Sequence, residues 1–198
     1  MSRAGLLAEL EAYRAVDEPE AAQAGRLAGF VRAHADCFER GLSIGHITAS
    51  AWVVDENGSL ALLTHHRKLG RWLQLGGHAD GEDDVRRVAL REAREESGLS
   101  TIRFAQPGIY DLDVHAIPAH GAEPAHEHFD VRFAFFADPA EPPMVSGESH
   151  ELAWFPIATL LSGEGVDESV RRLARKTPTL RLGPKGRTPR VRAKPEPC

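Results

Sequence analysis

The sequence predicts an α/β domain with a mixed sheet, preceded by a short helical extension. Three observations carry this. Apolar residues recur at helical spacing before residue 40, the period then falls to two over several short runs, and one more helical pattern sits among those runs.

Residues 4–15 and 19–39 read as two helices. In the second, Leu27, Phe30, Val31 and Ala35 form one stripe, and Pro19 stands where a first turn tolerates proline. Residues 47–54 and 60–64 are β-rich and are joined by Asp55-Glu56-Asn57-Gly58, a strong hairpin signal. Residues 72–75 form a short strand before Gly76-Gly77. A helix over 84–97 ends on Gly98. Residues 102–104, 109–117, 129–137 and 151–155 read as strands, and 167–175 as a last helix. The expected organisation is an extension over 1–42, a domain over 43–175, and a basic, Pro-rich tail over 176–198 whose composition reads as disordered.

Composition removes several function classes. No run approaches the roughly 20 apolar residues of a membrane span. The N-terminus brings in acids too early for a secretory signal. Cys37 and Cys198 make neither a disulfide framework nor a metal-spaced pair, so a reducing cytoplasm is expected. From Lys176 onward seven basic residues face one acid, a local +6, so the other 175 residues hold −11 against the net −5. An acidic body argues against a dedicated nucleic-acid partner.

Chemistry concentrates in residues 77–99. On a helix, Val85, Val88 and Ala89 share one face, and Glu92, Glu95 and Glu96 fall on its continuation. Stability alone disfavours that. Glu92 and Glu96 are like charges at i, i+4, which costs about 0.2–0.5 kcal/mol, and anions near a helix C-terminus oppose its dipole. A divalent cation removes the conflict, and clustered hard oxygen donors are what magnesium takes. The plainer reading is a solvated charged face partnered by Arg91 and Arg94; the coincidence with the apolar face and the Gly-Gly loop favours the metal.

This segment resembles the Nudix box, Gly-x5-Glu-x7-Arg-Glu-U-x-Glu-Glu-x-Gly-U with U bulky and apolar. It gives Gly77, Asp83, Arg91, Glu92, Ala93, Glu95, Glu96, Gly98 and Leu99. The likeness extends over about residues 44–160. Asp83 stands where the first glutamate is expected, Leu75 where proline is common, and Ala93 is small for its site. The resemblance implies a Nudix-type α/β/α sandwich and hydrolysis of a diphosphate linkage in a nucleoside diphosphate derivative, a small-molecule substrate. It implies Mg2+, with Mn2+ as the alternative ion, on Glu92, Glu95, Glu96 and the carbonyl of Gly76. Glu92 would activate water, and Arg91 would hold the glutamates. A further glutamate from a loop, Glu148, is the candidate extra ligand or base. A nucleotide-sensing module without hydrolysis is the alternative, but it would want a carboxylate missing from the box, and none is. An isomerase of this fold would want a cysteine beside the site, and Cys37 precedes the resembling region.

Outside the box, His126, His128, Asp130 and Arg132 alternate on one strand face, and Asp111, Asp113 and His115 on another. If those strands pair, their polar groups gather. The reading chosen is a pocket lining, with His128, Arg132 and His78 meeting substrate; the spacing also suits a transition metal. The His65-His66-Arg67-Lys68 run is a second place for phosphates. The leading helices are free to cap the sheet, shape the pocket or form a homodimer.

Overall fold

The computed structural model describes residues 1–180 except positions 68, 122, 123, 145, 146 and 148 and the side chain of residue 149. Glu148, and the tail expected to be disordered from residue 181 on, lie outside the described residues. In chain order the elements are α1 (Arg3–Ala12), α2 (Glu18–Ala33), β1 (Gly45–Val54), β2 (Leu60–His66), β3 (Arg71–Leu73), β4 (Leu75–His78), α3 (Val85–Ser97), β5 (Arg103–Phe104), β6 (Asp111–Ile117), β7 (His126–Phe136), β8 (Ser149–Pro156), α4 (Ile157–Ser162) and α5 (Glu168–Lys176). The α/β class is the expected one, with its helical preface. Among the described residues no helix is long and apolar enough to cross a membrane.

The chain divides into two compact units. One comprises Met1–Ser50, Gly76–Ala89 and Gly108–Phe133; the other comprises Ala51–Leu75, Leu90–Pro107 and the residues from Ala134 onward. In the first, Ser2 and Asp17 cap α1 and α2, their side-chain oxygens accepting from the amides of Gly5 at 3.2 Å and Glu20 at 2.9 Å. The helix α2 stops at Ala33, where periodicity predicts continuation to residue 39. His34 is extended, and the carbonyl of Cys37 accepts the amide of Ile47 at 2.8 Å, so this stretch braces β1. Arg3 Nε donates to the carbonyl of Val31 at 2.9 Å and ties α1 to α2. Phe30 of α2 stacks on Phe129 of β7 with ring centroids 3.8 Å apart. The apolar stripe of α2 is therefore buried against this unit's own strands, and α1 packs on α2.

β4 pairs with β1, and it runs through the two glycines that the sequence places in a loop. The cause is close approach. A Cβ on Gly76 (φ +157°) would lie 2.5 Å from Ser50 Oγ and 2.8 Å from the carbonyl oxygen of Ala49. Only glycine lets these strands meet there.

In the second unit the hairpin forms as expected. Val53 faces Leu62 and Val54 faces Ala61, with Gly58 at φ +62° and the Asp55 carboxylate accepting the amides of Ser59 at 2.6 Å and Leu60 at 2.8 Å. β8 lies along the other edge of β2, with Trp154 opposite Leu62. The short α4 is not predicted; its six residues begin after Pro156 with no side-chain cap. Chain packing continues past α5: Trp52 Nε1 donates to Thr177 Oγ1 at 3.0 Å, and Leu180 is buried. The first residues of the basic segment thus belong to the folded body.

The C-terminus of α3 is secured in the same unit. Gly98 (φ +67°) closes it, and the amide of Met144 donates to the carbonyl of Ser97 at 2.7 Å. The Glu141 carboxylate holds the strand that follows, accepting from the amides and hydroxyls of both Ser100 and Thr101 at 2.6–3.0 Å. These bonds, led by the Thr101 hydroxyl, bring Glu141 from 4.5 down to about 2. A folded-state pKa below the unfolded one gives stability that is complete above about 4.5 and disappears as pH falls toward 2. Glu141→Gln should flatten that acid limb of the melting-temperature curve while leaving its shape above pH 6 unchanged. An identical acid limb in the variant would remove Glu141 from the account.

Candidate active site

The helix α3 carries the box residues. Val85, Val88, Ala89 and Ala93 are fully buried, so the apolar stripe faces inward as the period requires. The three glutamates then separate. Glu96, 7% exposed, continues the buried stripe; Glu92 is half-buried; Glu95 is exposed. The sequence expectation of three carboxylates on one inward face is too broad, because Glu95 lies at the edge of the stripe where the helix turns to solvent. Arg91 Nη2 donates to Glu92 Oε1 at 2.6 Å, and its Nε lies 4.0 Å from Glu95 Oε2. The guanidinium thus makes a charge-assisted hydrogen bond to Glu92, while Glu95 is only a distant, exposed partner. Asp83 is exposed, while Asp84 caps the helix start, its Oδ1 facing the amide of Arg87 at 3.4 Å.

The carboxylates of α3 are the donor type a hard cation takes, although among the described residues Glu92, Glu95 and Glu96 do not converge as one group of three ligand atoms. Magnesium is held by carboxylates and carbonyl oxygens, and Glu96 brings one such carboxylate to the buried face of the helix. The expected Gly76 stands in β4, which fixes its backbone tightly against β1. Glu148 lies outside the described residues.

In the first unit β6 and β7 pair as the alternation suggests: Asp111 faces Arg132, Asp113 faces Asp130, and His115 faces His128. Arg132, expected to reach substrate, is instead internal. It is 1% exposed, with Nε on Asp130 Oδ2 at 2.7 Å, Nη1 on Asp111 Oδ2 at 3.2 Å and Nη2 on Asp113 Oδ2 at 3.1 Å. The hydroxyls of Thr48 and Ser50 on β1 donate to Asp130 at 2.8–3.0 Å. Burial opposes the charge on Arg132, but Asp130, Asp113 and Asp111 outweigh it and raise its pKa above the ordinary value. A guanidinium enclosed in the fold and committed to three carboxylates is out of a ligand's reach.

His78 and His128, the other two residues expected at substrate, converge with His46, which the sequence reading overlooked. Ring centroids are 5.0 Å apart for His46–His78, His46–His128 and His78–His128. Burial first, then His78, His115, His46 and His126, push His128 down to about 2, so this ring is neutral at ordinary pH. The signal for His46 was present: His46, Thr48 and Ser50 alternate on β1, the same polar face that carries the Asp130 contacts. Elsewhere, His65 packs beside Trp72 at 5.1 Å, and His66 Nδ1 accepts the amide of Leu69 at 3.3 Å. A cleft of about 380 Å³ in the second unit, lined by Arg71, Trp72, Leu160 and Asp167 among others, contains none of the box carboxylates.

Removing Arg132 leaves three buried carboxylates without their cation. Arg132→Met should lower the free energy of unfolding by about 3–5 kcal/mol, as breaking a buried ion network does. Urea unfolding reads this as a lower midpoint at unchanged slope. A loss below about 1 kcal/mol would mean that the network is not stabilising.

A family model described as NUDIX domain matches residues 45–175. None of the curated proteins matches the chain in sequence. Among solved structures, an Ap4A hydrolase binary complex from C. elegans is 16% identical, with TM-score 0.53 over 67% of this chain and 95% of that one. A MutT protein from Methanosarcina mazei Go1 is 17% identical, with TM-score 0.51 over 70% of this chain and 96% of that one. At such identities the two structures speak for the fold.

Proposed function

The chain belongs to the Nudix family of pyrophosphohydrolases, and we propose that it is Mg2+-dependent and cuts the diphosphate linkage of a small nucleoside diphosphate derivative. The observation that carries this reading is the buried Glu96 beside the Arg91-oriented Glu92 on one inward helix face. Glu92, Glu95 and Glu96 would hold the ion, and Mn2+ would serve in its place. Bound there, the metal supplies neutralisation of phosphate oxygens and a more acidic water.

The chain's own residues do the rest. Glu92 accepts the proton of the attacking water as its oxygen meets phosphorus, and the linkage breaks to leave two phosphorylated products. Arg91, 2.6 Å from Glu92, holds that carboxylate in one orientation, so little reorganisation is needed at reaction. Glu148, from the loop before β8, is the proposed additional ligand or base. The acidic body argues against nucleic acid as the substrate, because duplex binding needs a basic footprint on the folded domain.

Glu96→Gln should reduce kcat by about a hundredfold or more, the usual effect of losing a preorganised electrostatic element. Phosphate-containing products released from a panel of nucleotide sugars, dinucleotides and nucleoside triphosphates provide the readout, with and without EDTA. Full activity in the variant, or activity indifferent to chelation, would end this reading.

A further inference from the structure

Three neighbouring strands each deliver one imidazole to the same place. His46 opens β1, His78 closes β4 and His128 lies near the start of β7, with β1 hydrogen-bonded to both of the others. One nitrogen from each ring lies within 4.8 Å of the other two. His46 is 1% exposed, while His78 and His128 are half-buried, so the group is enclosed on one side and reachable on the other. The Nε2 of His128 is buried with no hydrogen-bond partner in the described structure. A buried imidazole nitrogen in that state is costly unless something coordinates it.

We propose that His46, His78 and His128 form a binding site for a borderline divalent transition ion, zinc above all. Three imidazole nitrogens at zinc–nitrogen distances of about 2.0–2.1 Å in tetrahedral geometry sit roughly 3.3 Å from one another. Closing from 4.8 Å or less needs each ring to swing by about 1 Å, within the reach of χ1 and χ2 adjustments. The fourth position is left to water or an exchangeable ligand. Nitrogen donors of this kind suit zinc, cobalt, nickel and copper and do not suit magnesium, so the site is chemically distinct from the carboxylates of α3.

Two further imidazoles flank the three, each held by a partner of its own. His126 packs 4.9 Å from His46 and 5.2 Å from His128, and its Nδ1 is fixed at 2.9 Å from the carbonyl of Pro124. His115, 5.4 Å from His128, has its Nδ1 on Asp113 at 3.0 Å, and Asp113 is gripped by Arg132. These bonds fix the positions of the two flanking rings beside the three donors. The ordinary alternative is a polar patch of stacked imidazoles that binds nothing. It accounts for the ring contacts but not for three donor nitrogens converging from three strands. Bound zinc would fasten β4, two residues beyond Gly76, to β1 and β7.

The test uses the full, tag-free chain equilibrated with Zn2+ and then dialysed, with metal counted by mass spectrometry and affinity set by competition with a chromogenic chelator. One zinc per chain is expected, with a raised Tm. His78→Gln and His128→Gln, whose rings are partly exposed, should each weaken zinc more than about tenfold, with circular dichroism confirming the fold. Glu96→Gln should retain zinc. Cobalt substitution should give visible ligand-field bands without the near-ultraviolet band of a thiolate. Failure of the wild-type chain to retain zinc, equal retention by the two histidine variants, or loss in Glu96→Gln alone would overturn the site. A thiolate band would do the same. Hydrolysis with Mg2+ is a separate readout, so the two proposals stand or fall independently.

Discussion

A single guanidinium facing three carboxylates fixes the geometry of the first unit. Arg132 reaches Asp111 and Asp113 on β6 and Asp130 on its own strand, and Asp130 is bonded in turn by Thr48 and Ser50 of β1. Strand side chains repeat every two residues, so a slip of β7 by one would turn Arg132 and Asp130 outward together and leave Asp111 and Asp113 of β6 without their cation. That penalty fixes the register, and the register decides where everything else on the face points. His128 and His126 follow Asp130 and Arg132 at even spacing along β7, and His46 follows Thr48 and Ser50 along β1. Their gathering is a consequence of the lock. A buried charge network is a weak source of net stability but a strong selector among alternatives.

The α3 helix solves a different problem. An apolar stripe pulls it inward over its first two turns, and the period then carries Glu96 inward as well. A sequence selected only for packing would place leucine or alanine there, as it does at Ala93. The helix end is secured from outside, by the left-handed Gly98, by Met144 on the carbonyl of Ser97 and by Glu141 on Ser100 and Thr101. With both ends held, the buried carboxylate cannot escape by fraying.

What could be read from the sequence follows the strength of each local rule. The hairpin was legible because Asn57-Gly58 is nearly unambiguous, and the β6–β7 pairing because polar residues alternate cleanly on both runs. The overrun of α2 arose because Ala35 extends the stripe, while the bond from Ile47 to the Cys37 carbonyl is tertiary and leaves no local mark. Gly76-Gly77 were misplaced into a loop for a related reason. Glycine signals a turn by default, and the closeness of β1 that demands it here is visible only in space. Arg132 was assigned to substrate because its strand face was right but its depth was not. Alternation tells which face a residue takes, never how far inside that face lies.

The same argument bears on His46. Its neighbours Ile47 and Ala49 give β1 its β-rich look, and His46 falls one residue before the run that the sequence marks as a strand. Thr48 and Ser50 are buried as deeply as the apolar residues around them. A strand buried on both faces with one face polar must satisfy that face from within. Asp130 does so for Thr48 and Ser50. His46 meets imidazoles from two other strands instead, groups that hydrogen-bond one another only in a matched set of tautomers but can all turn a lone pair to one metal ion. Donor chemistry thus separates the two proposed ions by kind: oxygens on the helix select a hard cation, and nitrogens on the strands a softer one.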